Sequence, residues 1–202
     1  MNYWFTSDFH FNHKRICEYS HRPFKSVEEM NEKIIDNWNS VVTDDASVFY
    51  LGDFAFADSQ FIRNTLRRLK GRISFIRGNH DKSLVQFLKG INNYTDLSPR
   101  LTYLGDYAEV TINDQPIVLC HYPMITWARK SYGSWMLSGH SHYNLKATRK
   151  EETRFGKVLD VGVDGNNFMP YSFEELEKIM DNKPIMSSLD VLQDHHSRKE
   201  ED

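Results

Sequence analysis

The first half of the chain alternates short apolar runs with longer amphipathic segments. Apolar runs at residues 3–6, 47–51 and 72–77 have the length and the aromatic and β-branched content of short, buried strands. The segments between them carry helical patterns. Strands that alternate with helices along the chain are typical of an α/β fold.

Three helices are predicted in this half. Ser26 followed by Glu29 is a capping-box pattern, and apolar residues at helical spacing behind it predict a helix that runs to about Asn39. A second helix is predicted over residues 61–69, where Phe, Ile and Leu recur at the same spacing. A third, short helix is predicted over residues 82–89.

The second half is richer in strand patterns. Residues 101–120 alternate apolar and polar positions around an Asn-Asp pair, which predicts a β-hairpin over this segment. Further strands are predicted at residues 135–138 and 157–163, and Ser172 begins another capping box and a final helix. With no internal repeat or low-complexity linker, residues 1–181 are interpreted as one domain.

The end of the chain, residues 182–202, is polar and charged. This composition predicts a loosely attached tail. His195 and His196 lie in it, and we expect no metal site there.

Composition narrows the functional classes. The chain has 202 residues, 40% of them hydrophobic, which suits one globular domain. Its net charge of -3 disfavours binding along extended nucleic acid, because proteins that follow a phosphate backbone usually carry a basic excess. A small phosphorylated ligand in a pocket is compatible with this charge.

The only cysteines, Cys17 and Cys120, suit a reducing compartment. The chain begins without a secretory-signal pattern and has no apolar run long enough to span a bilayer. We therefore expect a cytoplasmic protein without a membrane partner. The sequence leaves its oligomeric state open.

Five predicted strands end in polar residues of a common chemical kind. These residues are carboxylates, one amide and imidazoles: Asp8, His10, Asp53, Asn79, His80, His121, His140 and His142. Ligands of open α/β sheets bind beyond the carboxyl ends of the strands, so these side chains are expected to converge. Their donor atoms suit Mn, Fe, Zn or Co, and their number exceeds the needs of one ion. The pattern favours two divalent ions about 3.5–4 Å apart, the arrangement used for displacement at phosphorus.

These residues lie in motifs with a recognisable order. The order is Asp-x-His at 8–10, Gly-Asp at 52–53, Gly-Asn-His-Asp at 78–81, His121, and Gly-His-x-His at 139–142. In this order the motifs resemble those of the calcineurin-like metallophosphoesterases. The resemblance implies two packed mixed β-sheets flanked by helices, with the site at one end.

The resemblance also implies roles for individual residues. Asp8, His10 and His142 would bind one ion, Asn79, His121 and His140 the other, and Asp53 both, with Mn favoured as the metal. A hydroxide that bridges the ions would attack phosphorus. His80 would stabilise the phosphoryl charge or protonate the leaving oxygen, and Asp81 would orient the His80 ring.

Residues that contact the substrate are less constrained by these patterns. Arg77 stands where some relatives, the protein Ser/Thr phosphatases, have a phosphate-binding arginine. His13 either faces the substrate or caps the following helix. The segment 122–135 carries Trp127, Arg129 and Lys130, and is either a specificity loop or an ordinary surface loop.

Asp164 ends another predicted strand. It is either a turn residue or a support for the metal ligands, and we favour the turn.

The leading hypothesis is a dinuclear-metal phosphoesterase that hydrolyses a small, nucleotide-like phosphodiester. A phosphomonoesterase or protein phosphatase is the alternative on the same site. A third possibility is a non-catalytic scaffold with this fold, which the presence of His80 beside a full set of ligands disfavours.

Overall fold

The structure, a computed structural model, describes residues 2–187. Its strands are β1 (Tyr3–Thr6), β2 (Ser47–Tyr50), β3 (Arg72–Ile76), β4 (Leu101–Gly105), β5 (Tyr107–Ile112), β6 (Gln115–Cys120), β7 (Trp135–Ser138), β8 (Val158–Asp160) and β9 (Tyr171–Ser172). Its α-helices are α1 (Ile16–Tyr19), α2 (Val27–Val41), α3 (Ser59–Arg68), α4 (Lys82–Lys89) and α5 (Phe173–Asp181). The helices and strands predicted for the first half are present, with ends that shift by one or two residues.

The strands within the described part of the chain form two mixed sheets. The first has the order β4-β3-β2-β1-β9, in which β1 to β4 are parallel and β9 is antiparallel to β1. The second has the order β5-β6-β7-β8, in which only the β5–β6 pair is antiparallel. The prediction of two mixed sheets flanked by helices is confirmed.

Side chains of both sheets fill the space between them. Phe5 and Ile76 of the first sheet share a buried cluster with Leu119 and Leu137 of the second. A separate cluster joins the other face of the first sheet to α2, α3 and α4, with Trp38 fully buried in it. Full burial of one large apolar side chain stabilises the fold by roughly 1.5–3 kcal/mol. The two buried clusters therefore hold the strands, and with them the strand ends, in place.

The two predicted capping boxes differ in the structure. At α5, Ser172 Oγ accepts a hydrogen bond from the Glu175 amide, and the Glu175 carboxylate accepts one from the Ser172 amide. At α2, Ser26 accepts from the Glu29 amide, but the Glu29 carboxylate accepts from the Lys25 amide. The second motif is therefore only half of a capping box.

The prediction of one hairpin over residues 101–120 is wrong in its first part. Strand β4 pairs in parallel with β3 in the first sheet, and only β5 and β6 form the hairpin around Asn113 and Asp114. Gly105 has a φ of 97°, a conformation that glycine adopts without strain, at the point where the chain passes from one sheet to the other. Alternating polarity cannot distinguish these two pairings.

The residues after α5 contact the domain as far as the structure describes them. Lys183 is buried, and its Nζ donates hydrogen bonds to the carbonyl groups of Arg149 and Glu152. Lys183, inside the predicted tail, is therefore attached to the domain, and the boundary at residue 182 stays a prediction. The rest of the predicted tail, with His195 and His196, lies outside the described residues.

No helix among residues 2–187 has the length and apolar character that a membrane span requires.

Candidate metal centre

Two groups of potential metal ligands lie at the carboxyl ends of the central strands. One group contains Asp8, His10 and His142, and the other contains Asp53, His121 and His140. Within each group, one ligand atom per residue lies within 4.8 Å of the others. The first sheet supplies the aspartates and the second supplies His121, His140 and His142, so each group draws on both sheets.

Asp53 lies between the two groups. Its Oδ2 atom is 3.6 Å from Nε2 of His10 and 3.5 Å from Nε2 of His121. Asn79 joins the second group, because its Oδ1 lies 3.1 Å from Nε2 of His121. The seven predicted ligands are thus brought together around one carboxylate that faces both groups.

The backbone at five of these seven residues has a left-handed conformation. Their φ angles are 61° at Asp8, 53° at His10, 59° at Asp53, 68° at His140 and 47° at His142. For residues other than glycine this conformation is uncommon, and it costs on the order of 1–3 kcal/mol at each position. Such strain is concentrated at functional sites, where it directs side chains to a common point.

Two glycines give the ligands room. A Cβ atom on Gly78 would overlap the Asp53 carboxylate, and one on Gly139 would overlap the Asp8 carboxylate. Any other residue at these positions would displace a candidate ligand. The Gly-Asn-His-Asp and Gly-His-x-His motifs therefore need their glycines for space.

The donor atoms of the first group suit a cation. Asp8 Oδ1 and both ring nitrogens of His10 are buried, and among residues 2–187 they have no hydrogen-bond partner. Buried polar atoms are rarely left in this state, because each costs about 1–3 kcal/mol. Burial lowers the pKa of His10 to about 2, which keeps its ring neutral and able to bind a metal. Burial raises the pKa of Asp8 to about 7.

The second group pairs an imidazole, His121, with the Asp53 carboxylate, and each shifts the pKa of the other towards its charged form. Burial alone would lower the pKa of His121, but interactions with the Asp53 and Asp8 carboxylates and the Leu51 carbonyl together outweigh it and raise the pKa to about 9. Burial would raise the pKa of Asp53, and His121 instead lowers it to about 2. The Nδ1 atom of His121 lies 2.7 Å from the Leu51 carbonyl, which leaves Nε2 directed at Asp53 and Asn79. The donor sets of both groups thus fit divalent ions.

Comparison with known proteins agrees with this geometry. A sequence profile of the calcineurin-like phosphoesterase superfamily domain matches residues 1–162. The chain belongs to this superfamily. It is therefore a metal-dependent hydrolase of phosphoric esters, and the resemblance drawn from its motifs is confirmed.

Individual relatives match over most of their length. An uncharacterized protein of Methanocaldococcus jannaschii is 30% identical over 188 residues, which cover 92% of this chain and 95% of that protein. The Gene 66 protein of Mycobacterium phage L5 is 27% identical over 187 residues, 81% of this chain and 86% of its own. The solved structure of a protein of unknown function from Aquifex aeolicus has a TM-score of 0.65 at 24% identity, and the match covers 88% of this chain and 98% of that one.

In this phosphoesterase, Asp164 contacts a candidate ligand, so the interpretation as a turn residue alone is wrong. Its Oδ2 lies 2.8 Å from Nδ1 of His142. Arg22 donates to both carboxylate oxygens of Asp164 and to the carbonyl groups of Asp8 and Phe9. A carboxylate in this position fixes the orientation of a metal-binding imidazole. Neither residue lies in a motif, and Arg22 was not predicted.

Asp81 does not orient His80 as expected. Its carboxylate is fully buried and accepts hydrogen bonds from the amides of Asp53, Phe54 and Gly78 at 2.7–2.8 Å. It therefore joins the two loops that carry Asp53 and Asn79. The resemblance implies an Asp81 carboxylate beside the His80 ring, whereas in the structure the turn directs this side chain inward.

Asp160 has a similar part in the second sheet and was not predicted. It is fully buried, and its carboxylate accepts hydrogen bonds from the Ser141 hydroxyl and from the amides of Tyr143 and Gly162. These contacts fix the loop that carries His140 and His142.

His80 is exposed above the first group. Its ring centroid lies 5.8 Å from that of His10 and 4.6 Å from that of Phe56. His13 stacks on the same Phe56 ring at 4.0 Å, and burial lowers its pKa. The α1 helix has no side-chain cap, so the alternative of His13 as a helix cap is wrong. The Phe56 ring, which no motif indicated, thus packs against the imidazoles of both His13 and His80.

Part of the predicted specificity loop, residues 122–135, is buried against the second sheet. Trp127 is buried against Val118 and Met136 on the outer face of the second sheet, and its Nε1 donates to Ser134. Lys130 is buried too, with Nζ 2.8 Å from the Ile125 carbonyl and 4.6 Å from the centre of the Trp127 ring. The burial of Trp127 and Lys130 argues against substrate binding by these two side chains, whereas Arg129 is exposed and its contact with the substrate stays a prediction.

A cleft of about 610 Å³ opens beside the second group of ligands. Arg77 lines it, but its guanidinium lies 2.7 Å from Asp106. The other lining residues are Gly78, Asn79, Lys82, Val85, Gln86, Lys89, Cys120 and Tyr122. Among the residues of 122–135, only Tyr122 reaches this cleft, so α4 forms more of its wall than the predicted loop does.

Proposed function

We propose that this phosphoesterase uses two divalent ions to hydrolyse a phosphodiester of a small, nucleotide-like substrate. The observation that carries the proposal is the position of Asp53, whose Oδ2 lies 3.5–3.6 Å from an imidazole of each group. A carboxylate shared in this way suits a pair of ions better than one. Two ions bound there would supply Lewis acidity and a water acidified enough to attack phosphorus near neutral pH.

The side chains divide this work. Asp8, His10 and His142 would hold one ion, Asn79, His121 and His140 the other, and Asp53 both. The mixed oxygen and imidazole donors suit Mn, Fe, Zn or Co, and we favour Mn. His80, which is exposed and lies 5.8 Å from the His10 ring, would donate a proton to the leaving oxygen or stabilise the phosphoryl charge. His13 and Arg77 would contact the substrate.

The cleft beside Asn79 favours a diester over a monoester. A monoester needs space for one organic substituent, whereas about 610 Å³ beside the ligands accommodates a second one. Both cysteines are free thiols, which supports a reducing, cytoplasmic location.

A paired assay tests the function. The metal-stripped protein is supplied with p-nitrophenyl phosphate or with bis(p-nitrophenyl) phosphate, with and without Mn²⁺. We expect Mn²⁺ to restore hydrolysis, with the higher kcat/KM for the diester. Preference for the monoester would replace the proposal by a phosphomonoesterase, and no hydrolysis of either substrate with two ions bound would leave the scaffold alternative.

A further inference from the structure

The cleft beside the second group of ligands has one wall made by a single helix face. Lys82, Val85, Gln86 and Lys89 of α4 line it, and their spacing of three, four and seven residues places them along one side of the helix. Asn79 precedes this helix by three residues and belongs to the metal centre. The cleft therefore runs outward from the metal centre along α4, and reaches Lys82 first and Lys89 about 10 Å further on.

The charges of this cleft are unbalanced. Arg77 is paired with Asp106, the acidic residue of the lining. Lys82 and Lys89 are exposed, and neither forms an ion pair within residues 2–187. The whole chain carries a net charge of -3. The two unpaired lysines therefore make the cleft locally positive on a protein that is negative overall.

We propose that Lys82 and Lys89 bind a second phosphate of the substrate, beside the phosphate that is hydrolysed. The substrate class is then a phosphodiester that carries a further phosphate group. Ammonium groups bind phosphate as point charges, and a phosphate attached to the same molecule as the scissile ester would lie along α4. This inference rests on the proposed phosphodiesterase function and adds the charge of the substrate to it.

Thymidine dinucleotides provide the test, because one phosphate can be added without a change in the scissile diester. The Mn²⁺-loaded protein is assayed with TpT, with the 5′-phosphorylated pTpT and with the 3′-phosphorylated TpTp. We expect kcat/KM for at least one phosphorylated form to exceed that for TpT by about tenfold to hundredfold, the effect of one or two charged hydrogen bonds. In a Lys82→Ala/Lys89→Ala variant this ratio should fall to about one.

A matched control separates local binding from overall charge. Lys25 and Lys33 are exposed and do not line the cleft, so Lys25→Ala/Lys33→Ala removes the same charge elsewhere. This control should keep the wild-type ratio. An equal loss of the ratio in both double variants would overturn the proposal, as would wild-type protein that hydrolyses TpT and its phosphorylated forms equally well.

A binding measurement decides the inference even without turnover. Calorimetry with the Mn²⁺-loaded protein compares thymidine 3′,5′-bisphosphate with the 3′- and 5′-monophosphates. We expect about tenfold tighter binding of the bisphosphate to wild type, and no such difference in the Lys82→Ala/Lys89→Ala variant. If no diester is hydrolysed, the proposed function fails while this comparison still decides the phosphate site: equal affinities overturn it.

Discussion

Nδ1 of His142 lies 2.8 Å from Oδ2 of Asp164, and Arg22 binds both oxygens of that carboxylate. The Arg22 side chain is fully buried, so this chain of contacts connects the interior to a candidate metal ligand. Its role is to hold one imidazole in one orientation. The contact joins residues that are 142 positions apart in sequence.

Asp164→Asn should weaken Mn²⁺ binding by about 10–100-fold, because the imidazole of His142 loses the charge that orients it and raises its basicity. Calorimetric titration with Mn²⁺ measures this. Asp114→Asn in the hairpin turn is the matched control, since Asp114 is exposed and lies at the opposite end of β6 from His121. Equal affinities of the Asp164→Asn and wild-type proteins would contradict the positioning role.

Asp53→Asn should remove the carboxylate shared by the two groups and keep the backbone, because asparagine tolerates the left-handed conformation at φ 59°. We expect fewer than two Mn²⁺ ions per chain and a loss of about 10³-fold or more in kcat, several kcal/mol of electrostatic stabilisation. Metal analysis by mass spectrometry and the aryl diester assay check both. Two ions per chain with wild-type turnover would disprove the shared role.

His80→Asn should leave Mn²⁺ bound and lower kcat by about 10²–10⁴-fold, the usual effect of losing acid–base assistance. Calorimetry and turnover of the aryl diester are compared for the same preparation. His21→Asn is a suitable control, because His21 is also exposed and asparagine tolerates its positive φ of 51°. Unchanged turnover in His80→Asn would remove His80 from the mechanism.

Asp81→Asn should act on stability before it acts on chemistry. The carboxylate accepts three backbone hydrogen bonds, and an amide NH₂ in place of one oxygen would face a backbone donor. We expect a loss of about 2–4 kcal/mol in the free energy of unfolding, measured in urea. If Asp81 instead served only to orient His80, stability would stay at the wild-type value and kcat would fall as in His80→Asn.

Lys130→Ala should lower stability rather than substrate affinity. Its buried ammonium binds the Ile125 carbonyl and lies over the Trp127 ring, so its loss should cost about 1–3 kcal/mol in unfolding free energy. Arg129→Ala, at the exposed neighbouring position, is the control and should change stability little. A raised KM without a change in stability would return Lys130 to the substrate site.

The candidate ligands could be predicted because strand ends and motifs are local features. A strand followed by glycine and a polar residue is visible within a few positions, and parallel strands bring such ends together. The residues that support the ligands are harder to identify in this way: Asp164 is one of two alternatives at a strand end, and Arg22 is not indicated at all. Arg22 and Asp164 meet only through the packing of distant segments, and nothing in the sequence around either one indicates a charged partner.

Burial of side chains explains why the predicted and observed roles of residues 122–135 differ. An aromatic residue and a lysine in a loop, such as Trp127 and Lys130, have the composition of a binding surface and equally that of an ordinary surface loop. In the structure they cover Val118 and Met136, an apolar surface on the outer face of the second sheet. The sequence does not show that this surface needs a cover. The predicted pairing of β4 was wrong for a related reason, because the polarity pattern of this strand suits either sheet.

The two groups of ligands combine side chains from both sheets, and this has a mechanical consequence. Each bound ion would act as a crosslink between the layers, in the manner of a disulfide whose strength depends on metal supply. Sliding of one sheet over the other would require the bonds to both ions to break. The resistance of the sandwich to heat and to proteolysis would then report how much metal the protein carries.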